Sequence, residues 1–294
     1  MTVKSIKKWR ILVTLCLALS VVFLSSCSIF GGLFGKAVRK PEADFTDGRL
    51  TGISFDKADF MFDLRVKNPN KLGLKMVGLK YDFAINENSF LTGKQNQNLE
   101  IKAGGESIIQ LPIALNFVKA YQTFKSLINE DDFKYNIKCI VSFDVPVLGA
   151  VDIPVSMKGD CPLPKLPRLA LDALKLKNVT LMGAELQMDI RLKNPNAFSM
   201  LLKSFNYQFS VNGLNWVTAS VEESTGIGKK DESLISIPIS LNFSKVGRSV
   251  AQLFTGNKSL NYNLKTRLDL GISLPLMEHV SIPLENSGSI KLIK

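Results

Sequence analysis

The sequence is poor in the residues that bind metals and carry out catalysis. It contains one histidine and four cysteines in 294 residues, and no two cysteines form a Cys-x-x-Cys pair. Because structural zinc sites draw on several such ligands, we expect no metal site. Glycine-rich phosphate loops and the Gly-x-Ser-x-Gly nucleophile motif are also missing. The single histidine, His279, is interpreted as a solvated residue at a hairpin tip, and we expect no catalytic residue and no cofactor.

Long hydrophobic runs are also missing, apart from one near the N-terminus. The apolar run Ile11–Leu24 has 14 residues, whereas a helix needs about 20 to cross the hydrocarbon of a bilayer. Basic residues precede it at Lys4, Lys7, Lys8 and Arg10. Small residues then lead directly to Cys27, as they do before the cleavage site of an exported protein. Residues 1–26 are therefore predicted to be a signal peptide.

The segment Leu24-Ser25-Ser26-Cys27 resembles the lipobox of bacterial lipoproteins. The resemblance implies that Cys27 carries diacylglycerol and that its amino group is acylated, for example with palmitate, so that several acyl chains anchor the protein to a membrane. Ser28, rather than an aspartate, follows Cys27, which implies the outer membrane of the cell envelope, facing the periplasm. The alternative is an ordinary export signal that happens to precede a cysteine.

Acidic residues are scarce relative to basic ones, 26 against 37, and the formal charge is +11. Four basic residues belong to the predicted signal peptide, which leaves +7 on the remainder. In an exported chain this balance predicts a basic, soluble surface and no nucleic-acid partner. Attraction to anionic lipid headgroups is the alternative.

The rest of the chain is duplicated at a period of 126 residues. FMFDLRVKNPN at 60–70 returns as LQMDIRLKNPN at 186–196, and LPIALNF at 111–117 returns as IPISLNF at 237–243. Within each copy apolar and polar residues alternate, which predicts strands with one buried face. Helices are predicted from Phe117 to about Asn129 and from Ser244 to about Thr255. The fold class is thus mainly β, with two tandem antiparallel β-sandwiches and one short α-helix in each.

Domain boundaries follow from composition. Residues 27–45 contain the lipidated cysteine and a glycine-rich tether, 46–161 form sandwich 1, 162–168 form a proline-rich linker, and 169–294 form sandwich 2. The strands that end in Asn-Pro-Asn are predicted to stop in turns, because proline fixes φ and asparagine tolerates turn geometry. The residues of these turns are Asn68, Pro69, Asn70, Asn194, Pro195 and Asn196.

An alternating strand that ends in Asn-Pro-Asn, then a Tyr-x-Phe strand, then Pro-Ile-x-Leu-Asn-Phe before a helix, resembles the late embryogenesis abundant (LEA) type 2 family, or WHy domain. The resemblance applies to each of the two copies, and together they cover nearly all of residues 46–294. It implies a fibronectin III-like sandwich, no enzymatic activity, and a role in desiccation and stress protection. It implies no catalytic or binding residues.

Two cysteines remain after Cys16 and Cys27 are assigned to the signal peptide and the anchor. A hairpin centred near Ala150 would place Cys139 opposite Cys161, and an oxidising compartment favours a disulfide between them. The second copy has no cysteines at the equivalent positions. The sequence therefore leaves open whether the pair is bonded.

Two functions are compatible with these features. One is a non-catalytic protective or structural module, with client proteins or lipids as partners and an oligomeric state that the sequence does not define. The other is a carrier of lipid or another apolar ligand, in a groove lined by Phe117, Tyr121 and Phe124 in the first copy and by Phe243 and Phe254 in the second. The same aromatic residues are equally explained as core residues.

Overall fold

Strands account for most of the residues that the computed structural model describes, which are 38–246, 254 and 259–293. The strands are β1 (Glu42–Ile53), β2 (Lys57–Lys67), β3 (Leu74–Ile85), β4 (Asn88–Ile101), β5 (Glu106–Asn116), β6 (Asp132–Val145), β7 (Gly149–Pro162), β8 (Arg168–Val179), β9 (Gly183–Lys193), β10 (Met200–Val211), β11 (Leu214–Ile227), β12 (Glu232–Asn242), β13 (Ser259–Ile272) and β14 (His279–Ile293). The helices are α1 (Phe117–Thr123), a 3₁₀ helix (Lys125–Asn129) and α2 (Phe243–Val246). The predicted signal peptide and Cys27 lie outside the described residues.

The alternation of apolar and polar residues in the sequence corresponds to an alternation of buried and more exposed side chains in the strands. In β2, Phe60, Phe62, Leu64 and Val66 are each at most 3% exposed, while the residues between them face outward. The equivalent strand β9 buries Leu186, Met188, Ile190 and Leu192 in the same way. Since successive side chains of a strand point to opposite faces, each copy closes its apolar faces against each other. The predicted mainly β fold is confirmed.

Sheet order is the same in both copies. In the first copy the sheets are β1-β2-β5 and β4-β3-β6-β7, and in the second the equivalent strands form one sheet in the order β11-β10-β13-β14-β8-β9-β12. The two parts of this larger sheet are joined by a short parallel pairing of β14 with β8, through Leu292 with Leu174 and Ile293 with Lys175. The neighbouring pairs β10–β11, β10–β13, β13–β14, β8–β9 and β9–β12 in this sheet are antiparallel.

The chain divides into two compact units. The first comprises the residues up to Arg49 together with Phe60–Ile113 and Lys134–Cys161. The second comprises Leu50–Asp59, Ala114–Phe133 and Pro162–Lys294. One boundary of the division lies between Cys161 and Pro162, and two segments of the first repeat belong to the second unit.

The predicted tether and linker are shorter than the sequence indicated. Strand β1 begins at Glu42, so the predicted tether, which ran to residue 45, includes the start of a strand. Strand β7 runs to Pro162 and β8 starts at Arg168, which leaves five residues between them. Leu163 in this connection is buried, and its N–H donates to the carbonyl of Asp131 at 2.8 Å. The linker is thus fixed by packing and is not a free spacer.

The first predicted helix is broken in two. Asn116 caps α1 by accepting from the Lys119 N–H at 2.9 Å, and the helix ends where Phe124 adopts φ −122° and ψ 85°. A 3₁₀ turn then brings Leu127 into the core, while Val118 and Ile128 stay exposed. The buried face of α1 therefore consists of Phe117 and Ala120. Of the second predicted helix, the described residues contain α2 and Phe254.

The predicted register of the β6–β7 hairpin is wrong. Ser142 donates to Asp152 across this pair at 2.6 Å, and the Tyr135 ring covers Gly159, which centres the hairpin on Val147 and not on Ala150. Val147 supplies the turn with a φ of +74°.

This register separates the two cysteines. Cys139 and Cys161 lie about six strand positions, or roughly 20 Å, apart, whereas a disulfide needs Cα atoms within about 7 Å. Both residues are buried thiols in the structure, and burial raises the pKa of each to about 12. The disulfide considered from the sequence is therefore not compatible with this fold.

Candidate functional site

The Asn-Pro-Asn motif of the first copy is a network of side-chain hydrogen bonds. The amide nitrogen of Asn68, which is fully buried, donates to the carbonyls of Leu72 at 2.8 Å and Lys102 at 3.0 Å. Its oxygen accepts from the backbone N–H of Asn70 at 3.0 Å. Asn70 in turn binds a distant segment: its oxygen accepts from the Arg39 N–H at 2.6 Å and its nitrogen donates to the Arg39 carbonyl at 2.9 Å. We call this pair of asparagines the asparagine clamp.

The second copy repeats the clamp. Asn194 donates to the carbonyls of Phe198 at 2.6 Å and Gly228 at 2.8 Å, and its oxygen accepts from the Asn196 N–H at 3.0 Å. Asn196 holds the backbone of Lys165 at both groups, at 2.6 and 2.8 Å. In each copy the clamped residue precedes the second asparagine by 31 positions. The tether end at Arg39 and the linker at Lys165 are therefore equivalent parts of the repeat.

A charged cluster on the outer sheet face is also duplicated. In the first copy Asp63 accepts from Arg49 at 2.7 Å and from Gln110 at 3.2 Å. In the second copy Asp189 pairs with Lys175 at 2.7 Å and accepts from Ser236 at 2.7 Å and from Gln187 at 2.7 Å. Lys175 and Ser236 stand 126 positions after Arg49 and Gln110. The aspartate is therefore present in both copies, whereas the residues that bind it differ.

Asp189 is the more perturbed of the two carboxyls. It is 2% exposed. Burial by itself would raise its pKa, but the hydrogen bonds from Gln187, Lys175 and Ser236 outweigh burial and hold the pKa at about 2. The carboxylate is therefore ionised and fully engaged by its neighbours, which makes it a structural ion pair and a poor proton donor or acceptor at neutral pH.

Other charges on the same faces are paired as well. Arg65 binds Asp44 at 2.9 Å, and Arg191 binds both Asp172 and Glu232 at 2.5 Å. His279 lies 2.6 Å from Asp269 and is half exposed; it opens strand β14. Among the described residues no group of three or more histidine, cysteine or acidic side chains is arranged to hold a metal ion.

The residues predicted to line an apolar groove are placed in or beside the core. Phe117 is fully buried, and Phe243 and Phe254 are each 4% exposed with their ring centroids 5.7 Å apart. Tyr121 is half-buried; burial raises its pKa to about 12, and its hydroxyl lies 3.5 Å from the Pro164 carbonyl. Phe124 is half-buried at the end of α1. This packing favours the core interpretation of the five residues and gives no support to a carrier.

The cavities among the described residues are open to solvent, and most of the residues that line them are polar. One of 550 Å³ in the first unit is lined by Asn86, Glu87, Lys134, Tyr135, Asn136, Lys158, Gly159 and Asp160. Another of 310 Å³ in the second unit lies beside Thr180, Met182 and Asn242. The lining of neither includes a pair of closely bonded acid and base groups, so neither has the geometry of a catalytic centre. No helix among the described residues is long and apolar enough to span a membrane.

The fold and these contacts define a class: a tandem β-sandwich protein in which the prominent polar groups are bound to one another. Residues 63–159 and 189–288 match the profile of the late embryogenesis abundant protein family LEA_2. The chain belongs to this family. The two matches start 126 positions apart, in agreement with the repeat read from the sequence.

Individual relatives are similar over about the length of one copy. A desiccation-related protein of Arabidopsis thaliana is 25% identical over 126 residues, which are 43% of this chain and 76% of that protein. Late embryogenesis abundant protein Lea14-A of Gossypium hirsutum is 23% identical over 129 residues, 44% of this chain and 85% of that protein. A solution structure from Arabidopsis thaliana covers 44% of this chain and 86% of its own, with 23% identity and a TM-score of 0.37.

Proposed function

We propose that the protein is a non-catalytic protective module of the bacterial cell envelope, held at a membrane by lipid on Cys27 and acting during desiccation or osmotic stress. The observation that carries this proposal is family membership in both copies. Several relatives are named for desiccation, among them a desiccation protectant protein homolog of Glycine max.

The surface offers a mechanism for protection. Outward positions of the β11-β10-β13-β14 sheet carry many uncharged hydroxyl and amide groups, for example Ser220, which donates to Asn206 at 2.7 Å, and Asn215, which donates to Thr218 at 3.1 Å. Such exposed groups can exchange hydrogen bonds with water at little cost. As water is lost, they can form hydrogen bonds with neighbouring client proteins or lipid headgroups in its place.

The anchor would keep this surface close to the membrane. The described fold begins at Val38, eleven residues after Cys27. A fully extended chain of eleven residues spans at most about 40 Å. A lipidated Cys27 would therefore restrict the first unit to a thin layer above the bilayer, where loss of water from the envelope would be felt directly.

Survival of the host after drying tests the proposal. Deletion of the gene is expected to lower survival after desiccation and osmotic shock but to leave growth in hydrated medium unchanged, and the wild-type gene is expected to restore survival. A strain carrying Cys27→Ser separates the anchor from the sandwiches. We expect it to lose incorporation of labelled palmitate and to protect less well. Equal survival of the parent and the deletion strain under both stresses would refute the protective function.

A further inference from the structure

The turn between β8 and β9 projects apolar side chains into solvent. Leu181 is 98% exposed and Met182 is 75% exposed, and Val179, just before them, is 49% exposed. Single exposed apolar residues are common on soluble proteins. A group of three in one five-residue turn is different, because contiguous exposed apolar surface marks a site of interaction.

The turn is held in this position by hydrogen bonds. The Thr180 N–H donates to the Gly183 carbonyl at 2.8 Å, and the Gly183 N–H donates to the Thr180 hydroxyl at 3.1 Å. The Met182 carbonyl accepts from the N–H of Phe243, the first residue of α2, at 3.0 Å. Leu181 and Met182 are therefore presented by a fixed backbone.

The first copy builds the same turn with different side chains. Ser54 donates its N–H to the Lys57 carbonyl at 2.9 Å, and the Asp56 carbonyl accepts from the Phe117 N–H at 2.8 Å. Asp56, which takes the place of Met182, is charged and accepts from the Ser54 hydroxyl at 2.6 Å. Phe55, in the place of Leu181, is half-buried. The fold thus accepts a charged residue at the position of Met182 and a half-buried side chain at the position of Leu181, so the turn itself does not require exposed apolar side chains.

We infer that the Val179–Gly183 turn is a tip that inserts into the surface of an anionic lipid bilayer. A protein partner would need a contact of about 800 Å² on each side, whereas two or three side chains suffice to enter the headgroup region. The charge of the chain next to the tip suits anionic lipid. Strand β8 and helix α2, whose first residue donates to Met182, contribute the basic residues Lys177 and Lys245, against one acidic residue, Glu185, just after the tip.

The test places an environment-sensitive fluorophore on the tip of the full chain. Cys16→Ser and Cys27→Ser remove two thiols, and the remaining Cys139 and Cys161 are buried. A nitrobenzoxadiazole label is attached at Met182→Cys or, as the matched control, at Asp56→Cys. Vesicles of phosphatidylglycerol and phosphatidylethanolamine are expected to shift the emission of the label at 182 to the blue and to expose it to quenching by spin-labelled lipid. The label at 56 is expected to respond at least about tenfold less.

A second variant removes the apolar neighbour. Leu181→Asp in the Met182→Cys background is expected to weaken the response about tenfold, as expected from the transfer free energy of one leucine. Equal responses at 182 and 56, or no response at either, would overturn the inference. A response of the same size on phosphatidylcholine vesicles would overturn the preference for anionic lipid. The inference does not depend on lipidation or on protection from drying.

Discussion

The side chain of Asn70 binds both backbone groups of Arg39, at 2.6 and 2.9 Å, in the manner of a neighbouring strand. Asn196 binds Lys165 in the same way. A carboxamide presents one donor and one acceptor, which is the hydrogen-bonding pattern of a peptide group. The clamp therefore fixes the segment that leads into each sandwich at a point where no strand is present to pair with it.

Removing one clamp should destabilise its own sandwich. Asn196→Ala leaves the N–H and carbonyl of Lys165 without their partner and removes one of the two hydrogen bonds to the oxygen of Asn194, and we expect a loss of about 2–3 kcal/mol in the free energy of unfolding. Urea denaturation followed by circular dichroism measures this loss. Asn98→Ala, at an exposed position on β4, is the control and is expected to change the stability by less than about 0.5 kcal/mol. Similar stabilities of the two variants would show that the clamp contributes little.

The two β-hairpin turns after β3 and β10 form a matched pair for backbone strain. Glu87 has a φ of +70°, and its counterpart Gly213 has a φ of +81°. Since a side chain in the left-handed region costs about 1 kcal/mol, Glu87→Gly is expected to stabilise the protein by up to that amount. Gly213→Ala is expected to destabilise it by a similar amount, although a Cβ there would meet no atom within 4 Å. Changes of the same sign in both variants would contradict this account.

Asp189 should make the second unit sensitive to acid. Its folded pKa of about 2 lies below the ordinary value of 3.8. Stability from its ion pair is therefore fully present above about pH 4 and is lost as the pH falls towards 2. We expect Asp189→Asn to flatten the dependence of the unfolding free energy on pH in this interval. Asp63→Asn is the matched substitution in the first copy, where the carboxyl is more exposed, and its effect should be smaller.

The two buried cysteines should behave as inert thiols. With about six strand positions between them and their pKa values raised to about 12 by burial, we expect no reaction with iodoacetamide in the native state. Both should react fully in guanidinium chloride, and mass spectrometry distinguishes the two states. A native mass lower by two hydrogens, restored by reduction, would show that a disulfide forms and that the β6–β7 register is different.

Much of the fold could be predicted because its signals are local. The alternation of Phe60, Phe62 and Leu64 with less buried residues indicates which face of β2 is buried, independently of contacts made elsewhere in the chain. The 126-residue offset identified the duplication, since two independent blocks kept the same spacing. Bacterial lipidation at Cys27, outside the described residues, stays a prediction.

The errors arose where distant contacts decide the structure. The sequence analysis centred the β6–β7 hairpin near Ala150, but the hairpin is centred on Val147, which has a positive φ, and this difference moved Cys139 away from Cys161. The Asn-Pro-Asn motifs follow the ends of β2 and β9, and in addition to this local role they make contacts that reach 31 to 34 residues away, which the sequence did not indicate. Arg39 and Lys165 stand 126 positions apart, and in both copies a proline follows two positions later. This repeat was the signal that could have revealed the clamp.

The clamp also sets how the first sandwich would respond to mechanical tension. A pull from the N-terminal side reaches Arg39 before it reaches the strand that starts at Glu42. There it meets two hydrogen bonds to Asn70 that must break together, and not one after another. The terminal strand is thereby protected from peeling, and a sandwich pulled from its N-terminal side would unfold at a higher force than its edge strand alone would allow.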